Sequence, residues 1–152
     1  MSSSTLAKRL RRDEEGAAAV EFGLLGLVMI ALLMGVLQIG IAMQKYNALR
    51  GISADVARYA VVQYQSGTEV TNSQIWAQAH QIATRPPYNL SGEQQQLGDG
   101  LDITVTTAVD QRIDGATELN FWIRTELPSV MTFLGVESLH VTHSRPIFVL
   151  DE

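Results

Sequence analysis

The sequence predicts an α+β protein in which one long N-terminal transmembrane helix extends into a small exported domain with a three-stranded antiparallel sheet. Two observations predict this fold. No charged residue occurs from Phe22 to Met43, and in the last third of the chain the apolar residues change from helical spacing to alternation. The predicted parts are a leader (1–16), a transmembrane helix (17–43), a helical extension (44–64) and an exported domain (65–152).

The apolar run from Phe22 to Met43 is long enough to cross a bilayer. At about 1.5 Å per residue it measures roughly 33 Å, against about 30 Å for a hydrocarbon core. Gln38 is its only strongly polar side chain. Four basic residues precede the run, at Lys8, Arg9, Arg11 and Arg12. The positive-inside rule therefore predicts a single-pass protein of the cytoplasmic membrane with a cytoplasmic N-terminus and an exported C-terminal domain.

A glycine and a carboxylate mark the start of the apolar segment. Gly16 is followed by small apolar residues and then by Glu21 and Phe22. A carboxylate at the edge of the lipid is costly, and it indicates a functional site when a partner can be named. Cleavage after Gly16 would supply that partner, because the new α-amino group of Ala17 would lie about 6 Å from Glu21 along the helix axis. The two charges would then neutralise each other within one chain or between neighbours.

Small residues recur along the same helix with a spacing that permits close approach of a second helix. The two pairs are Ala19 with Gly23 and Ala31 with Gly35. We therefore predict a helix-packing role for these four positions.

The N-terminal part of the chain resembles a TadE-like pseudopilin of the Tad (Flp) type IV pilus system. The residues that carry the resemblance are Gly16 to Phe22, the apolar run and the following QKYNALRGISADVARYAVVQY. The resemblance extends over about residues 13–64. It implies cleavage between Gly16 and Ala17 by a prepilin peptidase, and a role for Glu21 and Phe22 in assembly. The implied function is that of a minor pilin or pseudopilin that supports a pilus used in adhesion or secretion. The implied partners are membrane lipid, the peptidase, other pilins or pseudopilins and an inner-membrane assembly platform.

Two other interpretations of the N-terminal segment remain open. In one, Glu21 lies at the edge of an uncleaved anchor, and the exported domain binds a partner. In the other, a secretory signal is removed after Ala42, where Gly40-Ile41-Ala42 has the small-x-small form. Signal peptides and their apolar regions are shorter than the segment found here, which disfavours the second interpretation.

The first half of the predicted exported part is helical. The helix continues to about Tyr64, with an apolar stripe at Leu49, Ile52, Val56 and Tyr59. A second helix is predicted from a cap at Asn72 or Ser73 to about Ala83, ended by Arg85-Pro86-Pro87. Its predicted buried face comprises Ile75, Trp76, Ala79 and Ile82. The segment from Tyr88 to Gly100 is predicted to be a mobile loop.

The second half alternates apolar and polar residues, as half-buried strands do. The predicted strands cover Leu101 to Thr107, about Leu119 to Ile123, and Ser138 to Leu150. Pro146 predicts an edge position or a bulge for the third strand, because proline donates no ladder hydrogen bond. One helical turn is predicted from Val130 to Leu134.

Composition excludes several classes of function. The 152 residues carry a formal net charge of -5, which disfavours nucleic-acid binding. The chain has no cysteine, so disulfides, thiolate zinc sites and cysteine nucleophiles are excluded. His140 and His143 point to opposite faces of the third predicted strand, and are a poor metal chelate. No phosphate-binding loop or nucleophile elbow occurs. We therefore predict no catalytic site, no cofactor and no metal.

Overall fold

The computed structural model describes residues 14–90 and 100–150. It contains helices α1 (Glu14–Gln65) and α2 (Asn72–Thr84) and strands β1 (Asp102–Thr107), β2 (Ala116–Pro128) and β3 (Ser138–Leu150). A single 3-10 turn, Thr132–Leu134, lies between β2 and β3. The predicted α+β class with a long N-terminal helix and a three-stranded antiparallel sheet is confirmed. Most of the predicted leader (1–13) and most of the predicted mobile loop (91–99) lie outside the described residues.

Helix α1 has two halves with opposite surroundings. In its C-terminal half Leu49, Ile52, Val56 and Ala60 are fully buried, at spacings of three and four residues that place them on one face. In its N-terminal half nearly all large apolar side chains are exposed. No break separates the halves, since α1 runs for 52 residues. One half of the helix therefore belongs to the core of the α+β domain and the other half extends from it.

The N-cap of helix α2 is Thr71, one residue before the predicted caps at Asn72 or Ser73. The Oγ1 atom of Thr71 accepts a hydrogen bond from the amide of Gln74, and the Gln74 side chain accepts one from the amide of Thr71. This reciprocal pair is a capping box, which satisfies two amides that a helix start leaves free. The helix ends at Thr84, directly before Arg85 and the two prolines, as predicted.

The sequence predicts that Trp76 of α2 is buried. This prediction is wrong, since 46% of its surface is exposed. Its Nε1 atom donates a hydrogen bond to the carbonyl oxygen of Ile103 in β1, at 3.0 Å. An indole N–H needs a polar partner, and this strand carbonyl holds the ring at the border of the domain. Ala83 takes a place in the buried face of α2 instead, beside Ile75 and Ala79.

The sheet has the order β1-β2-β3, with both pairs antiparallel. Strand β2 extends beyond its predicted ends and pairs over its whole length with β3, from Ala116 opposite Leu150 to Pro128 opposite Ser138. Pro146 lies opposite Asn120 in β3, which is an edge strand. The predicted edge position is therefore confirmed, and it suits a residue without a backbone N–H. The two helices cover one face of the sheet, where Phe121 and Ile123 are fully buried with Ile147 and Val149.

The segment after α2 folds back onto α1. The hydroxyl of Tyr88 donates a hydrogen bond to Oδ2 of Asp55, at 2.8 Å. A Cβ atom added to Gly51 would lie 2.6 Å from the Tyr88 hydroxyl oxygen. Burial, together with the Asp55 carboxylate, raises the pKa of Tyr88 above its usual value. Gly51 therefore permits close packing of an aromatic ring on the helix.

Candidate functional site

The predicted cleavage site lies near the start of α1. Gly16 and Ala17 are exposed residues of the helix, two turns before the large apolar side chains begin to dominate. Glu21 is also exposed, and within the described residues it has no hydrogen bond or ion pair. Phe22 is 79% exposed. The predicted residues thus share one accessible stretch of helix, and the prediction that the chain is cut between Gly16 and Ala17 stays a prediction.

The N-terminal half of α1 has the reverse of a globular pattern. Its large apolar side chains face outward from Val20 to Met43, with only Met34 half-buried. Gln38, the only strongly polar residue from Phe22 to Met43, is by contrast 2% exposed. In water such a surface would be strongly unfavourable, but lipid is as apolar as these side chains. Among the described residues, α1 is the one helix long and apolar enough to cross a membrane. It fits a single-pass membrane protein.

The two small-residue pairs do not share one face. Successive helical residues are separated by about 100°, so the pair Ala19 and Gly23 lies roughly 120° around the axis from the pair Ala31 and Gly35. A Cβ atom added at Gly23 or Gly35 would meet nothing within 4 Å. Ala19 and Gly23 are exposed, whereas Ala31 and Gly35 are half-buried. The packing role of the four residues stays a prediction.

Gln38 is a contact residue that the sequence analysis did not assign. Its Oε1 atom accepts a hydrogen bond from the amide of Val130 at 2.7 Å, and its Nε2 atom donates one to the carbonyl oxygen of Pro128 at 3.4 Å. Both ends of the side-chain amide are thus paired with the backbone at the end of β2. The sequence does contain a sign of this contact. Gln38 is a single amide side chain in a long apolar run, and such a side chain requires a polar partner.

These bonds join the apolar half of α1 to the β2–β3 loop (residues 129–137). The loop is ordered by its own contacts, since the Met131 amide donates to Oγ of Ser129 at 3.0 Å. Its 3-10 turn, Thr132–Leu134, is followed by Gly135 as the C-cap. The φ of Gly135 is 80°, in the left-handed region that favours glycine. The predicted helical turn from Val130 to Leu134 is therefore present as a shorter 3-10 turn.

A cleft of about 500 Å³ lies between α1 and β3. Its lining includes three basic residues, Arg50, His143 and Arg145. The His143 ring meets the Tyr46 ring edge-on, with 5.6 Å between centroids. Burial lowers the pKa of His143, and the positive charges of Arg50 and Arg145 lower it further. The cleft is basic, and the imidazole in it has a pKa below its ordinary value.

The described groups at these places are hydrogen-bonding and charged side chains. Within residues 14–90 and 100–150 no three acidic or histidine side chains are grouped closely enough to hold a metal ion. The described ion pair joins Arg112 to Glu118, at the start of β2, with the Arg112 Nε 2.9 and 3.0 Å from the two carboxylate oxygens. It closes the turn before β2 and lies far from the apolar half of α1.

Comparison with known families gives a match over the N-terminal helix. Residues 16–58 match the family model described as TadE-like protein. The match begins at the glycine of the predicted cleavage site and ends within the buried half of α1, and it confirms the resemblance found from the sequence. No curated protein and no solved structure matches the chain.

Proposed function

We propose that this chain, whose residues 16–58 match the TadE-like family, is a pilin-like subunit that a prepilin peptidase processes and that supports assembly of a Tad-type pilus used in adhesion or secretion. The observation that carries the proposal is Glu21, a carboxylate at the start of a helix whose large apolar side chains face outward, with no hydrogen-bond or ion-pair partner among the described residues. A carboxylate in this position is unfavourable in lipid unless a cation reaches it.

Processing creates that cation. Cleavage between Gly16 and Ala17 gives Ala17 an α-amino group, with a reference pKa of about 7.7–8.0 and hence a positive charge near neutral pH. Glu21 follows by four residues, so that the amine of one chain can meet the carboxylate of the same chain or of a neighbour. Pairing between neighbours would also fix the stagger of adjacent subunits. A fixed stagger is what the assembly of a pilus requires.

The proposed orientation follows from the charges at the two ends of the apolar segment. The basic residues Lys8, Arg9, Arg11 and Arg12 hold the leader in the cytoplasm, and the α+β domain is exported. The peptidase then meets Gly16 on the cytoplasmic side of the inner membrane. The remaining proposed partners are other pilins or pseudopilins, which would pack against α1, and the inner-membrane assembly platform.

The mature N-terminus tests this proposal. Mass spectrometry of the protein from cells that carry the peptidase is expected to find Ala17 as the first residue. Gly16→Leu is expected to abolish processing, because a large side chain would occupy the cleavage position. Gly26→Leu is the matched control, since a Cβ atom there meets nothing within 4 Å, and it should be processed normally. An intact leader in the unaltered protein would overturn the proposal.

Glu21→Gln tests the assembly role separately from processing. The variant keeps the size of the side chain and removes its charge, so we expect normal cleavage, normal membrane insertion and loss of pilus assembly. Electron microscopy of surface pili measures the result. Assembly at the unaltered level would show that the amine and Glu21 are not a required pair.

One observation favours the second candidate, an uncleaved anchor whose exported domain binds a partner. The cleft between α1 and β3 has three basic residues in its lining and no acidic one. Such a cleft suits an anionic group. This candidate requires the full-length N-terminus in the mature protein, so the same mass spectrum separates the two.

A further inference from the structure

We propose that the tip of the β2–β3 loop, residues 130–133, inserts into the outer interface of the lipid bilayer and sets the height of the α+β domain above the membrane. The inference rests on the proposed insertion of α1, and it adds a second membrane contact that is distant in sequence. Three observations carry it: the position of Gln38 along α1, the bonds that fix the loop there, and the apolar character of the loop.

The position along the helix comes first. From Phe22, where the uncharged run begins, to Gln38 the helix rises about 24 Å at 1.5 Å per residue, against a hydrocarbon core of about 30 Å. The next charged residue along the chain is Lys45, roughly 10 Å further along the axis, where its ammonium group reaches the headgroups. Gln38 therefore lies within about 6 Å of the outer boundary of the hydrocarbon core, a depth that an inserting loop reaches.

The hydrogen bonds of Gln38 then fix the loop at the same depth. Because its amide bonds both to Val130 and to Pro128, the loop cannot move along the helix without breaking two hydrogen bonds. Each broken bond would leave a buried polar group without its partner, which is unfavourable. The depth of the loop is thus tied to the depth of α1.

The exposed part of the loop suits lipid. Phe133 is 57% exposed and Val130 is 39% exposed. Residues 127–136 form an uncharged stretch between Glu126 and Glu137. Phenylalanine and aliphatic side chains that enter an interface reach roughly 5–10 Å into the boundary between headgroups and acyl chains. Two exposed side chains are too few for a stable protein interface, which buries about 800 Å² on each partner.

The opposite end of the sheet has a different surface. The connection before β2, residues 108–115, carries Asp110, Arg112 and Asp114. Strand β2 runs from Ala116 to Pro128, which separates the two ends by about 40 Å. Val109 is 98% exposed in this connection, and at that distance it faces water. The uncharged loop therefore lies at the end of the sheet that is bonded to the apolar helix.

Site-directed spin labelling tests the inference, because the chain has no cysteine of its own. Three single substitutions are made in the full chain in phospholipid vesicles: Phe133→Cys in the loop, Val28→Cys in the apolar helix and Val109→Cys at the far end. Collision with oxygen reports lipid, and collision with a water-soluble nickel chelate reports solvent. We expect the nickel collision rate to be several-fold lower at positions 28 and 133 than at 109, with oxygen collision higher at both.

The three labels separate the possible failures. A lipid signature at 28 with a water signature at 133 overturns the loop contact and leaves the proposed membrane insertion in place. A water signature at 28 overturns the insertion itself. If 133 is shielded from both reagents, the loop is buried against protein, and the assignment to lipid is wrong.

Discussion

Gly51 shows how a single residue can fix the packing of two distant segments. Glycine in a helix is unfavourable by about 1 kcal/mol relative to alanine. Here the missing side chain leaves room for the ring of Tyr88, whose hydroxyl reaches Asp55 on the next turn of the same helix. The cost in helix propensity is offset by a contact between α1 and the segment that follows α2.

Gly51→Ala is therefore expected to destabilise the protein, although alanine is the better helix former. The added Cβ atom would overlap the Tyr88 ring, and overpacking of this kind costs about 1–3 kcal/mol against a gain of about 1 kcal/mol in propensity. We expect a net loss of about 1 kcal/mol in the free energy of unfolding, measured by denaturant titration. In a Tyr88→Ala background the same substitution should stabilise. A gain in both backgrounds would show that the ring moves aside freely.

His143 predicts a dependence of stability on pH. Its pKa is lowered in the folded protein from the ordinary value of 6.5 by burial and by the charges of Arg50 and Arg145. The unfolded chain therefore takes up the proton first as the pH falls. The stabilising contribution is present above the unfolded pKa and is lost as the pH falls through the folded pKa.

The expected outcome is a decrease in the free energy of unfolding as the pH falls below the ordinary histidine value of 6.5, and this decrease should be smaller in His143→Gln. His140→Gln is the matched control, because His140 is exposed on the same strand. Denaturant titration at each pH measures both variants. Equal slopes for unaltered protein and His143→Gln would show that another group causes the decrease.

At the scale of elements, the contact between α1 and the end of β2 depends on one side chain. Gln38→Leu keeps the helix apolar but leaves the amide of Val130 and the carbonyl of Pro128 without this partner. We expect α1 to remain inserted while the β2–β3 loop loosens, because each lost hydrogen bond is worth about 1 kcal/mol.

Hydrogen exchange measures this loosening. The amide of Val130 should exchange at least several-fold faster in Gln38→Leu, since about 1.4 kcal/mol corresponds to a tenfold change in an opening equilibrium. Gln44→Leu is the matched control, because Gln44 is exposed on the same helix. Unchanged exchange at Val130 would contradict a role for Gln38 in holding the loop.

At the scale of the whole molecule, the C-terminal half of α1 and the α+β domain form one folding unit. Leu49, Ile52, Val56 and Ala60 are fully buried in the same cluster as Phe121 and Ile123 of the sheet. Removal of the helix would expose the face of the sheet that these residues cover. The division between 44–64 and 65–152 made from the sequence therefore separates residues that share a core.

Two fragments test this unit. Residues 44–152 retain every buried helix residue of the core, and are expected to unfold in one cooperative transition by circular dichroism. Residues 66–152 lack them and are expected to show no such transition, because losing several large buried side chains costs about 2–5 kcal/mol each against a typical stability of 5–15 kcal/mol. Cooperative unfolding of the shorter fragment would show that the sheet and α2 have a sufficient core of their own.

The sequence alone determined the features that depend on local periodicity. The apolar run, the stripe at Leu49, Ile52 and Val56, and the alternation of β1 predicted the long helix and the sheet, because each pattern repeats with the period of its own element. Pro146 predicted its edge position, since the missing donor acts at the residue itself. The TadE-like match likewise lies in the contiguous segment 16–58.

Only the tertiary structure decided the contacts between residues far apart in sequence. The partners of Gln38 are 90 and 92 residues away, and that of Trp76 is 27 residues away. The reason for a glycine at position 51 is a ring at position 88. The period of a pattern shows which face of an element is buried, but which group covers that face depends on how the elements pack in three dimensions.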